Sequence, residues 1–105
     1  MICRIWRGWT APENADAYER IVRTLVIPAI EQRHIAGFSQ IDLMRRDLGD
    51  DVEFQTMMWF DNLESVKQFV GEDYTVSHVP AAAREVLKRF DQRAAHYQVI
   101  DRRKQ

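Results

Sequence analysis

Residues 38–60, FSQIDLMRRDLGDDVEFQTMMWF, decide the fold. Side chains alternate between two faces over residues 38–46 and again over residues 53–60, a period of two that is typical of β-strands. The residues between these segments, 47–51, are mostly acidic and contain Gly49, which favours a turn. The stretch therefore predicts an antiparallel hairpin with two distinct faces.

A strand and a long helix are predicted before the hairpin. Residues 2–10 are rich in β-branched and aromatic types, which favours a strand. Apolar residues then recur every three or four positions through residues 14–34, the spacing of one helix face. Pro28 lies inside this span and has no N–H to donate, so we expect a kink or a short break there. Gly37 is expected to end the segment.

Two more helices and a last strand are predicted after the hairpin. Asp61 and Glu64 have the spacing of a capping box, with Asp61 as the N-cap of a helix that Gly71 ends. Pro80 fits the first turn of a further helix over residues 81–90. Residues 93–100 are predicted to close the chain as a strand.

The order β-α-β-β-α-(α)-β predicts an α+β protein with a ferredoxin-like, split β-α-β fold. In this fold, helices cover one face of a four-stranded antiparallel sheet and leave the other face open. The open face is expected to carry Trp and Met residues, which are too apolar to remain in water. Pairing with a second copy would cover it, so a homodimer is expected. An RNA platform is the alternative, but the aromatic and basic motif of such sheets is absent.

Length and composition point to one domain, residues 1–101, followed by a short basic tail, residues 102–105. The net charge of −1 gives no overall attraction to nucleic acid or to an anionic membrane. No apolar run is long enough to span a membrane or to form a signal peptide, so the cytoplasm is the expected location. The single cysteine, Cys3, allows no internal disulfide or cysteine-based zinc cluster and is expected to be a small core residue.

Four segments resemble the antibiotic biosynthesis monooxygenase family of dimeric α/β barrels. They are MICRIWRG at 1–8, WFDNLESV at 59–66, FVGEDY at 69–74 and HYQV at 96–99. The resemblance covers nearly the whole chain and implies the same fold and a homodimer. The superfamily includes oxygenases that need no cofactor, haem-degrading enzymes and proteins without an established activity, so the fold alone does not fix the function.

His96 and Arg4 are the candidate catalytic residues. His96 lies in the middle of the last predicted strand, where a histidine can act as a general base near neutral pH. Arg4 shares a strand face with Trp6, and this pair could hold a phenolate or enolate by charge and stacking. The alternatives are that His96 forms a hydrogen bond at the dimer interface and that Arg4 pairs with Glu53 or Asp42 across the sheet.

Trp59 and Met57 are candidates to line an apolar substrate pocket, although strand residues of these types also form cores and interfaces. Asp42 and Gln40 share a face of the second strand. A carboxylate within a sheet is costly unless it is paired, so Asp42 is expected to be exposed, paired or functional. These four residues complete the predicted substrate-binding set.

His78 raises the question of haem. The resemblance implies that a histidine in this region binds iron in the haem-degrading relatives, together with a tryptophan and an asparagine. This sequence has Gln68 and Phe69, and Arg7 and Gly8, at the companion positions. No metal or cofactor is therefore expected, with His78 as an iron ligand only if haem is bound. His34 is better explained as a helix-end residue.

Three functions remain open from the sequence. The first is a cofactor-independent monooxygenase-like enzyme acting on a small aromatic or polyketide-like molecule. The second is a dimeric small-molecule-binding or interaction module without catalysis. The third is a haem-binding or haem-degrading protein.

Overall fold

A computed structural model describes residues 1–105 as an α+β fold with one open antiparallel sheet. The strands are β1 Ile2–Thr10, β2 Phe38–Asp47, β3 Val52–Phe60, β4 Arg89–Phe90 and β5 Ala95–Gln98. The α-helices are α1 Ala15–Ile21, α2 Ile27–Glu31, α3 Leu63–Val70 and α4 Ala81–Arg84. The predicted ferredoxin-like fold and the hairpin at 38–60 are confirmed.

The sheet has the order β2-β3-β1-β4, and β5 also pairs with β1. β4 pairs with the far end of β1 (Gly8 opposite Phe90), whereas β5 pairs with its beginning (Arg4 opposite His96). The two short strands thus share the fourth position of the sheet. The predicted helix over 81–90 is wrong in its second half, because α4 ends at Arg84. Phe90 instead joins the sheet with its ring centroid 6.0 Å from that of Trp6.

A π-helical segment, Val22–Val26, joins α1 to α2 without a break. The N–H of Ile27 donates to the carbonyl of Val22, five residues earlier. The next residue, Pro28, has no N–H to donate, and the wider π turn lets the helix continue past it. A π turn therefore replaces the kink or break expected at Pro28. The left-handed conformation after the helix belongs to His34 (φ 48°), so the helix ends before Gly37.

The N-cap of α3 is Asn62, and the prediction of Asp61 is wrong. The Asn62 side chain accepts a hydrogen bond from the Ser65 N–H at 3.0 Å. The Asp61 N–H instead donates to the carbonyl of Gly37 at 2.8 Å. Gly37 has a φ of 82° and packs so closely on Ser65 that a side chain there would overlap it. Gly71, with a φ of 95°, ends α3 as expected.

The two faces of the sheet differ in what covers them. On the covered face, even-numbered residues of β1 and β3 pack against the helices, with Trp6 and Phe54 contacting the α1 side and Met58 and Phe60 the α3 side. On the open face lie the odd-numbered residues, which include Cys3, Arg7 and Trp9 on β1 and Met57 and Trp59 on β3. No helix is long and apolar enough to cross a membrane.

Candidate functional site

A small pocket lies between the covered face and the helices. Its walls are mostly apolar and come from β1 to β3, from the helical residues 18–30, from Phe69 of α3 and from residues 78–83. The cavity has a volume of about 40 Å³. Its polar side chains are Arg4, Thr56, His78 and the buried Tyr18, and no carboxylate lines it. Burial raises the pKa of Tyr18, so this phenol stays protonated at neutral pH.

Arg4 is the charged group of the pocket and is only 3% exposed. Its Nη1 donates to the carbonyl of Tyr74 at 2.6 Å, and its Nη2 donates to the carbonyl of Val76 at 2.7 Å. Its third partner is the Nε2 atom of His96, 3.1 Å from Nη1. Burial lowers the pKa of Arg4 to about 10, so it remains charged at neutral pH. All three partners are neutral, and the positive charge has no carboxylate beside it.

His96 accepts a hydrogen bond from Arg4, because a guanidinium can only donate. In the neutral ring the proton is then on Nδ1, and Nε2 has no free lone pair. Burial and, second, the charge of Arg4 lower the pKa of His96 to about 4. The ring also packs edge-on against Tyr74, with centroids 5.2 Å apart. Arg4 therefore already occupies the Nε2 lone pair, and the general-base role of His96 stays a prediction.

Trp6 lines the same pocket and fixes the segment that closes it. Its Nε1 lies 2.9 Å from the carbonyl of Asp91 and 3.1 Å from the hydroxyl of Ser77. Gly8 leaves the space that the Trp6 ring fills, since a Cβ there would approach the ring to 2.8 Å. Together with the Arg4 bonds, these contacts hold residues 74–77 against β1. Arg4 and Trp6, which the sequence puts on one strand face, both line the pocket.

His78 lies at the mouth of the pocket, where sequence reasoning had considered it only as an iron ligand. Its ring packs on Phe69, with centroids 4.9 Å apart, and the residue is exposed, so its ring nitrogens are open to water. Partial burial, then the charges of Arg33 and Arg4, lower its pKa from 6.5. At neutral pH His78 is thus an uncharged imidazole with a free lone pair. The guanidinium carbons of Arg4 and Arg33 each lie 5.4 Å from the Phe69 ring centroid.

The other four predicted residues lie on the open face, separated from this pocket by the sheet. Gln40 Nε2 donates to Asp42 Oδ2 at 3.0 Å, and Met57 and Trp59 are half-buried. Strand register puts Asp42 opposite Met57 and Gln40 opposite Trp59. Neither alternative partner of Arg4 is used, because Glu53 binds Arg46 at 3.1 Å and Asp42 faces away. The predicted site residues therefore form two sets rather than one.

Haem does not fit the residues around His78. Phe69 packs against the imidazole, with the ring centroids 4.9 Å apart, and the chain has Gln68 and Phe69 on α3 and Arg7 and Gly8 on β1 where the resemblance implies the companion tryptophan and asparagine. Nor does any group of three or more His, Cys, Asp or Glu side chains come together in a way that could hold a metal ion. We therefore assign no step to haem or to a metal.

Comparison with known proteins supports the fold. No protein-family model matches the chain, and no curated protein matches it. A Bacillus cereus protein provisionally named an antibiotic biosynthesis monooxygenase is similar in structure, with a TM-score of 0.65 and 14% identity over 99% of this chain and 97% of that one. Rv0793 from Mycobacterium tuberculosis has a TM-score of 0.61 and 16% identity over 96% of each chain. The fold is thus that of antibiotic biosynthesis monooxygenase-type proteins, as the sequence resemblance implied.

Proposed function

We propose that this protein is a cofactor-independent, monooxygenase-like enzyme that acts on a small, acidic aromatic or polyketide-like molecule. The observation that carries the proposal is the buried guanidinium of Arg4, which has no carboxylate partner and lines a mostly apolar pocket. Such a charge favours a bound anion strongly, because the surroundings screen it little. The similarity in fold to the Bacillus cereus protein supports the same class of activity.

His78 is the proposed proton acceptor. It lies at the pocket mouth, its ring nitrogens have no partner in the protein, and its lowered pKa keeps it neutral at pH 7. Arg4 would bind the acidic group of the substrate, with His96 holding the guanidinium in place. Trp6 and Phe69 supply aromatic surface to the lining of the pocket.

The proposed reaction converts a CH₂ group activated by its aromatic neighbours into a ketone. His78 removes one proton, and the resulting carbanion passes one electron to O₂. The substrate radical and superoxide then combine with formation of a C–O bond. Protonation of the peroxide by His78 gives a hydroperoxide. Loss of the second hydrogen with cleavage of the O–O bond yields the ketone and water, so that R₂CH₂ and O₂ become R₂CO and H₂O.

The size of the cavity limits how a substrate can enter. An engineered cavity that binds benzene measures about 150 Å³, whereas this one has about 40 Å³. Residues 78–80 at the mouth, or the π-helical segment Val22–Val26 in the wall, must therefore move when an aromatic ring binds. π turns are frequent at functional sites, which fits this position.

An oxygen electrode tests the function at pH 7 with anthrone-type and dihydroxynaphthalene-type compounds, each with and without a carboxylate substituent. We expect one O₂ consumed per ketone formed, and a loss of about 10²- to 10⁴-fold in kcat for His78→Gln, the usual contribution of a general base. The control is His34→Gln, which removes an exposed histidine at a helix end. Equal oxygen uptake by His78→Gln and wild type, or no uptake with any compound, would contradict the proposal.

The second candidate is a binding module without catalysis. The observation that favours it is the extent to which Arg4 is already bonded, to Tyr74, Val76 and His96, around a small cavity. In that case Arg4 and Trp6 serve mainly to fix the segment 74–77. Calorimetry with the same compounds separates the two functions, because a binding module gives heat of binding without oxygen uptake.

We further propose that the open face pairs with a second copy of the chain in the cytoplasm. Met57 and Trp59 at its centre are half-buried, and Met44 and Tyr97 near its margins are 41% and 59% exposed. An apolar surface of this kind gains free energy when a partner removes it from water. The free thiol of Cys3 is compatible with a reducing compartment.

A further inference from the structure

We infer that the acidic group bound at Arg4 is a carboxylate, so that the ligand of this pocket is a small aromatic or aliphatic carboxylic acid. The inference rests on the proposed function only in taking the pocket as the place where the substrate binds. It adds the chemical class of the group that the pocket recognises.

The first observation is the number of N–H groups that Arg4 has left. A guanidinium carries five. The carbonyl of Tyr74 and the Nε2 atom of His96 take both protons of Nη1, and the carbonyl of Val76 takes one proton of Nη2. The N–H of Nε and one N–H of Nη2 remain without a partner in a side chain that is 3% exposed. Nε is not fully enclosed, so its N–H is open to the pocket that Arg4 lines, where a ligand oxygen can accept from it.

The second observation is the charge balance of the pocket. Every partner of Arg4 is neutral, and the pocket lining contains no acidic side chain. The other charge that acts on His78 at the mouth is that of Arg33, which is also positive. A ligand that carries one negative charge into the pocket therefore compensates Arg4. A neutral ligand leaves a buried charge unpaired, which is costly.

The third observation concerns the number of acceptor oxygens that each possible anion would bring to the donors of the pocket. A carboxylate is planar and has two acceptor oxygens, which suits two N–H groups on one guanidinium. A phenolate has a single oxygen. A phosphate has further oxygens that need donors or water, and beyond Arg4 the lining offers only Thr56, Tyr18 and His78 among apolar walls. A carboxylate on a hydrocarbon or aromatic body matches both the donors and the walls.

Wild-type protein can test this by calorimetry with matched probes at pH 7: benzoate against benzamide, and propionate against propionamide. We expect each carboxylate to bind at least tenfold more tightly than its amide, and phenyl phosphate to bind more weakly than benzoate. In ¹⁵N NMR, benzoate should shift the Nε–H signal of Arg4. Equal affinity within both pairs, or tighter binding of phenyl phosphate, would overturn the inference.

The variant Arg4→Gln should remove the preference for the carboxylate. Arg7→Gln is the matched control, because Arg7 lies on the open face of the same strand and already pairs with Asp91 at 3.1 Å. If Arg4→Gln does not fold, the wild-type affinities and the Arg4 signal decide. Retention of the carboxylate preference in folded Arg4→Gln would count against a role for Arg4.

The carboxylate-binding test and the oxygen-uptake test can fail independently of each other. Oxygen uptake that depends on His78 with a neutral phenol, without carboxylate preference, leaves the oxygenase function standing and overturns this inference. Carboxylate binding that depends on Arg4, without oxygen uptake from any compound, supports this inference and leaves the binding module as the function.

Discussion

Arg4 and Arg7 lie three residues apart on β1, on opposite faces of the sheet, and differ in almost every physical respect. Arg4 is buried among neutral acceptors, and burial lowers its pKa to about 10. Arg7 is exposed, pairs with Asp91 at 3.1 Å and lies over the ring of Trp9. The same residue type thus provides an unpaired charge in a pocket on one face and a solvated ion pair on the other. The face, rather than the residue type, decides which arginine can bind a ligand.

Trp6 and Trp9 extend the comparison. Both are nearly buried, with 8% and 7% exposure, but by different means. Helices cover Trp6, and its indole N–H donates to the carbonyl of Asp91. Trp9 lies on the open face beneath Arg89, whose guanidinium carbon is 3.9 Å from the ring centroid. The open face therefore shields part of its own aromatic surface, and Met57 and Trp59 remain as the apolar area for a partner.

The largest expected difference between the faces is in stability, and Phe54 and Gln55 are adjacent residues that measure it. Phe54 is fully buried on the covered face, whereas Gln55 is half-buried on the open face. Phe54→Ala should lower the free energy of unfolding by about 3–5 kcal/mol, because it leaves a cavity in the core. Gln55→Ala should change it by about 0.5 kcal/mol or less. Urea unfolding gives both values, and similar losses would mean that the faces do not differ as described.

A charge on the open face should disrupt the proposed dimer. Met57→Glu places a carboxylate in the middle of the apolar area, and we expect the dimer dissociation constant to rise at least about 100-fold, or about 2.7 kcal/mol. Leu25→Glu is the control, since Leu25 is 58% exposed on the helical side of the molecule. Light scattering over a concentration series gives the masses. A wild-type protein that is monomeric throughout, or a Met57→Glu dimer of unchanged affinity, contradicts the open-face dimer.

The two arginines should differ in what they stabilise. Arg4→Met leaves the part-buried carbonyls of Tyr74 and Val76 without their donor, and should cost about 1–3 kcal/mol in unfolding free energy. Amide hydrogen exchange in residues 74–77 should become faster. Arg7→Met loses an exposed ion pair and should cost about 1 kcal/mol or less, with exchange in that segment unchanged. Equal exchange rates in both variants would show that Arg4 does not hold the segment.

Much of the fold follows from local patterns in the sequence. Alternation along residues 38–60 predicts the hairpin, and its register in the structure is antiparallel as expected. The errors fall where tertiary contacts override local signals. Residues 81–90 have a helical pattern, but Phe90 gains more by pairing with Gly8 and packing near Trp6 than by extending α4. At the start of α3, Asp61 and Asn62 are both residue types that cap helices. The Asp61 N–H donates to the carbonyl of Gly37, and Asn62 is the residue that caps the helix.

The candidate site was less predictable because it depends on contacts between distant residues. Strand alternation put Arg4 and Trp6 on one face, as the register shows, whereas the position of His96 opposite Arg4 follows from the pairing of β1 with β5 in the structure. No local pattern shows which sheet face the helices cover. The sequence therefore does not separate the pocket residues from the four predicted site residues on the open face, which are Trp59, Met57, Asp42 and Gln40. His78 lies in the segment between α3 and α4, where the sequence has no regular alternation that would predict which way a side chain points. Its position beside Phe69 follows from the Arg4 and Trp6 bonds to residues 74–77.

The smallest expected effect is on pH dependence and concerns His96. Its pKa is about 4 in the folded protein against 6.5 without the fold, because burial and Arg4 disfavour the charged ring. Between these values the unfolded chain binds more protons, so His96 contributes stability above pH 6.5 that is lost as the pH falls towards 4. His96→Gln keeps an acceptor for Arg4 but cannot titrate, and its unfolding free energy should fall less over this range. Urea unfolding at pH 7, 6, 5 and 4.5 gives the two slopes.

His34→Gln is the control for the loss of a histidine outside the pocket. The pKa values of Asp51 and Asp73 are also lowered, by Lys88 and Arg93 respectively, but both variants retain these carboxylates, so the difference between slopes isolates His96. Identical slopes for wild type and His96→Gln would mean that the ring is protonated without cost. In that case Arg4 cannot be donating to Nε2, and His96 would have a free ring nitrogen as His78 does.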